Sequence, residues 1–311
     1  MPRRRRLDAA AGAPPQSAPT ALREGFVGVE AGRPSVTAQG AALERAAHQL
    51  LETPRVFEDP LALPIIGAEA EAGLRADLES YQIPFRRRLR AGIAARSRHA
   101  ENELAKAMRR GVRQYVILGA GLDTFAYRDV AEDGALRVFE VDYPATQAWK
   151  RNRLAERGMV PTRALTYVPI DFEHQRLEDA LAEAAFKRDE PAFFSWLGVT
   201  TYLTRDAVFQ TLRAVAGLAP GSAIIFTYGQ SPETLNPAQR ASFDAVAERV
   251  AGLGEPWQTF FEPASLAQDL REIGFASVED LGPAEIHARY FAGRSDGFAP
   301  GLLGHLALAV V

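Results

Sequence analysis

The chain has 311 residues, 47% of them hydrophobic, and a formal net charge of −3. That length holds one elaborated α/β domain or two small ones, and the charge lacks the basic surplus expected of a nucleic-acid-binding protein. The absence of cysteine removes disulfide frameworks and cysteine-ligated zinc, and no apolar run approaches the roughly 20 residues needed to cross a bilayer.

Residues 1–36 mix Arg3 to Arg6 with Ala, Pro, Gly and Ser and show no periodicity, so a disordered tail is predicted. No apolar core follows the arginines, so a signal peptide is not expected and the cytoplasm is the expected compartment. Residues 37–111 read as a helical extension. Ala41 to Leu51 is a good helix former, Pro54, Pro60 and Pro64 punctuate the next stretch, and residues 85–110 predict one long helix or two joined ones ending at Gly111. That last stretch carries Arg96 among many other arginines, as a helix with a solvated basic face would.

Residues 112–311 read as a nucleotide-type α/β domain. Tyr115 to Leu118 is a continuous apolar run of the kind a buried parallel strand shows. It turns at Gly119-Ala120-Gly121 and continues through Leu122 to Arg128, which can be a helix. Two glycines allow a tight turn and a close backbone approach to a ligand. A dinucleotide fingerprint wants a third small residue where Thr124 stands, just after Asp123. A carboxylate there repels a pyrophosphate and suits the ammonium of an amino-acid-like cofactor. The loop therefore argues against NAD and for S-adenosylmethionine. A second strand runs from Leu136 to Asp142, which lies 21 residues beyond Gly121. An acidic residue at that distance accepts from ribose hydroxyls in such folds. Glu140 and Asp142 share a strand face and either can serve, Asp142 being nearer the carboxyl end where the crevice lies.

A helix is predicted over 146–158 and a third strand over 165–170, ending at Asp171-Phe172. A polar helix over 174–190 leads to a fourth strand, 191–196, and a helix over 205–218 to a fifth, 223–228. Residues 231–262 form an insertion with Phe243, Trp257, Phe260 and Phe261. A helix (263–274), a sixth strand (275–281), a loop that can close over the site (285–294) and a last strand (305–311) complete the chain. No spacing of histidines and carboxylates suggests a metal, and neither a GxSxG elbow nor a P-loop is present.

Taken in order, QYVILGAGLDTFAYR (114–128), VFEVDYPATQAWKR (138–151), VPIDFE (168–173), WLGVTTYLT (196–204) and APGSAIIFTY (219–228), with RVFEDPLAL (55–63) and ARYFAGR (288–294), resemble the leucine carboxyl methyltransferase-like group of class I S-adenosylmethionine-dependent methyltransferases, in its bacterial branch. The resemblance implies a Rossmann-like, seven-stranded, mostly parallel sheet whose last strand is antiparallel, with an N-terminal helical extension and a cap insertion before the last strands. It implies Arg96 as the holder of the cofactor's carboxylate and Asp171 at the adenine amino group, with Phe172 over the ring or in the core. Gly119, Ala120, Gly121 and Asp123 form the loop contact, and Trp196 and Leu197 lie near the methyl group. Leu197 stands where the group usually has a cofactor-contacting glutamate, and Phe125 where many relatives have arginine. Tyr202, Tyr228, His287, Arg289 and Tyr290 are candidate acceptor contacts, with no general base assigned. The implied activity is O-methylation of a small molecule, its partner a small methyl acceptor rather than a nucleic acid or a membrane. A cofactor-binding protein without turnover and an NAD-dependent oxidoreductase are the alternatives.

Overall fold

The apolar runs form the strands, and the places where they stop set the topology. In this computed structural model, which describes residues 34–129, 135–252 and 254–311, Gln114–Leu118 (β1), Arg137–Asp142 (β2), Leu165–Pro169 (β3), Ala192–Trp196 (β4), Ala223–Gly229 (β5), Ser277–Leu281 (β6) and Gly304–Val310 (β7) make one sheet. Its order is β3-β2-β1-β4-β5-β7-β6, and β7 runs antiparallel to both neighbours while the other pairs are parallel. β1 and β4 are buried along their whole length, which is why they read as unbroken apolar runs rather than alternations.

Helices cover both faces. Val36–Leu51 (α1), Ala62–Ile66 (α2), Ala68–Ala76 (α3) and Pro84–Arg109 (α4) come before the sheet; Pro144–Glu156 (α5), Leu177–Glu183 (α6), Arg205–Ala216 (α7), Pro237–Ala251 (α8), Pro263–Glu272 (α9) and Pro283–Tyr290 (α10) follow within it. One core, with α1, α2 and α4 packed on Tyr115, Ile117 and Ile225, lies on one face. The other, with α7 and α9 on Val116, Phe194 and Phe226, lies on the opposite face. No helix among the described residues is long and apolar enough to cross a membrane.

Several sequence expectations change. Most of the predicted tail, residues 1–33, lies outside the described residues, but Ser35 and Val36 belong to the fold: the Ser35 hydroxyl caps α1 by accepting from the Ala38 amide. The helix anticipated after the glycine loop is a single 3-10 turn at Phe125–Tyr127, because the Asp123 carboxylate takes the Phe125 amide at 2.7 Å and bends the chain first. The loop anticipated at 285–294 is instead helical as far as Tyr290, started by Pro283 at the first turn. The basic face of α4 is not all solvated. Arg90 is completely buried, bonding Glu52 at 2.9 and 3.1 Å, Glu44 at 3.3 Å and the Tyr81 carbonyl at 2.8 Å.

Buried charge also welds the extension to the sheet. The Asp59 carboxylate is sealed from solvent. It accepts from the Thr124 hydroxyl at 2.8 Å, pairs with Arg45 at 3.0 Å and lies 3.7 Å from Arg128. Removing one member of such a group leaves a buried charge uncompensated. Asp59→Ala is expected to lower unfolding free energy by roughly 3–5 kcal/mol, read from urea melts, with the secondary structure retained. His48, next door, accepts the Val56 and Phe57 amides at 3.1 and 3.2 Å through Nε2. Burial, helped by Arg90, Arg294 and Arg55, pushes its pKa down to about 3. The unfolded chain binds this proton near the usual histidine value and the folded one does not, so the stability is present above about pH 6.5 and lost as pH falls towards 3. His48→Gln is expected to flatten that part of the stability–pH profile.

Candidate active site

The candidate crevice sits at the carboxyl ends of β1, β2 and β4, where the strand order reverses between β1 and β4. Gly119 leaves β1 with φ +65°, and a Cβ there would lie 2.3 Å from the Val199 side chain. Only glycine lets the β4 loop approach so closely. The Gly121 amide donates to one oxygen of the Asp142 carboxylate, and the Tyr143 amide donates to the other at 2.7 Å. The end of β2 thereby fixes the turn that follows β1. Burial raises the Asp142 pKa to about 6, against the pull of these two amides. Two carboxylate oxygens have further lone pairs to offer to hydroxyl donors in the crevice.

Glu140 has a different fate. Its carboxylate and the Lys150 ammonium form a 2.6 Å ion pair in which each side chain is 1% exposed. Burial raises its pKa to about 7, opposed by Lys150. Of the two acids sharing the β2 face, Glu140 is committed to the interior and Asp142 to the loop.

Arg96 comes to the crevice from the middle of α4. Its guanidinium lies so close to Gly198 that a Cβ on that glycine would fall 2.3 Å from Nη1. Gly198 has φ +78°, and its amide donates to the Thr227 hydroxyl at 2.6 Å. Among the described residues no carboxylate stands within ion-pair distance of Arg96. Burial lowers its pKa to about 10, with Tyr202 opposing and Arg45 assisting. A half-buried guanidinium without an anion is an open binding position, since its fork matches a carboxylate.

A cover completes the cleft. Ala38, in the first turn of α1, would be 3.3 Å from a Cβ placed on Gly121. The Val36 and Thr37 amides at the start of α1 donate to the two oxygens of Glu255 at 3.1 and 3.0 Å. The Ser35 amide donates to the Thr146 hydroxyl on α5 at 3.0 Å. Tyr202, in the 3-10 turn after β4, sits beside the side chains of Thr37 and Trp257, and burial raises its pKa. Thus Arg96, Tyr202, the glycine loop and Asp142 are brought together, and Leu197 lies half-buried beside them against the first core.

Other predicted site residues are placed differently. Trp196 is wholly buried in the second core beside Phe172, at 5.8 Å between rings, so its indole is core rather than crevice. Asp171 follows β3 and is half-buried, accepting from the Glu173 amide at 3.0 Å. Tyr228 is buried too, donating to Asp280 at 2.9 Å and stacked on His305. His287 and Arg289 are exposed on α10, and the Tyr290 hydroxyl lies 2.7 Å from His99 Nδ1 on α4. Arg289 and Tyr290 lie on the α4–α10 flank and His287 stacks on Phe291, because residues 283–290 are helical. Phe125, in the place of the relatives' arginine, is buried edge-on to Tyr115 at 4.9 Å. Sequence reasoning missed Glu255 and Thr37. A lone glutamate between Gly254 and Pro256 has no periodic signal, and its partner lies 219 residues away.

The leucine carboxyl methyltransferase family model matches residues 38–216, more than half of the chain. YktD of Bacillus subtilis strain 168, named as an S-adenosyl-L-methionine-dependent methyltransferase, is 31% identical over 288 residues, covering 85% of this chain and 94% of that protein. A protein of the same description from Mycolicibacterium paratuberculosis K-10 is 32% identical, covering 83% and 88%. Among solved structures, one described as a methyltransferase from Thermobifida fusca aligns with a TM-score of 0.55 at 22% identity, over 90% of this chain and 96% of that one. A DUF574-family protein from Streptomyces avermitilis gives 0.53 at 18%, over 87% and 96%. At such identities these structures share the fold alone. On the extent of the family match and the length of the relatives' alignment, the chain belongs to the leucine carboxyl methyltransferase family.

Proposed function

We propose that this protein transfers the methyl group of S-adenosyl-L-methionine to an oxygen of a small, substantially apolar acceptor. The observation that carries the cofactor reading is Arg96, a guanidinium at the crevice with no carboxylate beside it among the described residues. It suits the carboxylate of the methionyl moiety, while Asp142, held by the Gly121 and Tyr143 amides, suits the ribose hydroxyls. The glycine loop leads into a 3-10 turn whose first amide, that of Phe125, donates to Asp123, so it presents no α-helix N-terminus to a dinucleotide's pyrophosphate. That counts against the oxidoreductase reading.

The cofactor supplies an electrophilic methyl on a sulfonium, and an acceptor oxygen displaces the thioether in line, losing its proton if it is a hydroxyl. The chain's part is alignment and exclusion of water, an effect worth up to roughly 7–11 kcal/mol in intramolecular models. Leu197 adds an apolar wall where relatives carry a charge, which lowers local polarity and favours an apolar acceptor over a cationic one. Phe243 on α8, Trp257 and Phe260 form a half-buried cluster, with ring separations of 5.1 and 5.8 Å, and Phe260 lies against Gly229 at the end of β5. Such a lining suits a mostly hydrophobic small-molecule pocket. Phe261 and Phe291 turn inward to the two cores and take no part.

S-Adenosylhomocysteine is expected to bind, with Arg96→Ala and Asp142→Ala each weakening it by about 1.5–3 kcal/mol in calorimetry, the scale for hydrogen bonds to charged groups. Unchanged affinity in both folded variants would remove the cofactor assignment. For the acceptor, a labelled-methyl screen over phenols and hydrophobic carboxylic acids is the direct measurement. Once an acceptor is found, Phe260→Ala is expected to raise its KM about tenfold, or 1.4 kcal/mol, with S-adenosylhomocysteine affinity changed less than threefold. A KM left in place would put the acceptor elsewhere.

A further inference from the structure

On the flank of α4 that faces α10 and β6, away from the glycine loop, lies a groove of about 770 Å³. Arg55, Arg98, Lys106, Arg109 and Arg289 line it, against only two carboxylates, Glu103 and Glu279. Both carboxylates are already engaged, Glu103 with Lys106 at 2.6 Å and Glu279 with Arg289 at 3.2 Å. Arg98 and Arg109 are exposed and have no carboxylate partner among the described residues. Five cations against two anions leave a surplus of three positive charges in one groove, on a chain whose net charge is −3. The basic character of the groove is therefore local and not a reflection of composition.

The floor is polar and ordered. His99 is 2% exposed and its Nδ1 lies 2.7 Å from the Tyr290 hydroxyl, while Asn102 supplies an amide one turn along the same helix face. Burial holds the His99 imidazole below its usual pKa, so it adds hydrogen-bonding capacity without a charge at neutral pH. Arg98 and Arg109, eleven residues apart on α4, stand roughly 16 Å from each other at 1.5 Å per residue. That separation is between backbone positions along the helix axis, and engaging both guanidiniums takes a ligand with more than one anionic group rather than a single monovalent ion. The volume falls in the small-molecule range, but charged side chains replace the apolar lining of an ordinary ligand pocket.

We propose that this groove is a second ligand site, separate from the cofactor crevice, for a small multiply charged oxyanion of the phosphate class. Arg98 and Arg109 would pair with its anionic oxygens, and Asn102 and Tyr290 would bond its polar remainder. The test is calorimetric titration of the full chain with sodium pyrophosphate, in saturating S-adenosylhomocysteine so that Arg96 cannot be the receptor. One-to-one binding is expected, weakened at least tenfold by Arg98→Glu and by Arg109→Glu and changed less than twofold by Arg176→Glu, a control whose guanidinium pairs with Glu178 outside the groove. Arg98→Gln and Arg109→Gln repeat the measurement with milder changes should a reversal fail to fold. No heat at millimolar pyrophosphate, equal binding in every variant, or equal weakening by the Arg176 control would each overturn the proposal.

Discussion

The sealed carboxylate of Asp59 is the constraint on which the rest of the architecture depends. Two guanidiniums, Arg45 from α1 and Arg128 from beyond the glycine loop, converge on it together with the Thr124 hydroxyl. Arg45 also donates to the Leu122 carbonyl, and Arg128 is paired with Glu101 on α4. Charges so deeply placed are tolerated only when their partners remain in register. The segment 122–128 is thus held by polar geometry rather than by a helix, and the N-terminal extension shares buried ion pairs with the nucleotide-type fold.

From that constraint the crevice follows in two steps. Fixing 122–128 fixes the exit of the glycine loop, and Asp142 fixes its middle by accepting the Gly121 amide. The α1 helix, tied down at Arg45, then has its first turn over the loop. Arg96 reaches the same place because α4 packs alongside α1 and Gly198 offers no side chain to block it. Gly119 and Gly198, on different loops, therefore do related work: a side chain on the first would meet Val199 and one on the second would displace the Arg96 guanidinium.

How much of this was legible beforehand depended on whether the signal was local. The strands were legible, since burial on both faces writes itself as runs such as Tyr115 to Leu118. The glycine loop, Asp142 and Arg96 were legible through spacing and resemblance, and the structure brings them to one cleft. Trp196 was misplaced because strand parity, not motif membership, decides which face a side chain takes. It alternates with Ser195, whose hydroxyl meets Tyr115 on the other side. The α10 helix was hidden because Ile286 is its only buried residue, too little for an amphipathic pattern. Arg90 looked like one more surface arginine in a basic run, and nothing nearby announced that Glu44 and Glu52 would enclose it. Glu255 left no trace at all, its role being defined by a helix end far away in sequence.

That last contact would bear on time as well as shape. Glu255 bridges the start of α1 and the cap insertion above the loop, holding two amides that no turn of α1 can satisfy. A molecule leaving past this clasp would have to part hydrogen bonds to a charged group, each worth about 1.5–3 kcal/mol, before it lost its own contacts. Glu255 is engaged with these two amides and is separate from Arg96 and Asp142, so breaking the clasp would speed both entry and exit while changing the depth of binding little. Residence, rather than affinity, is the quantity this distant glutamate would set.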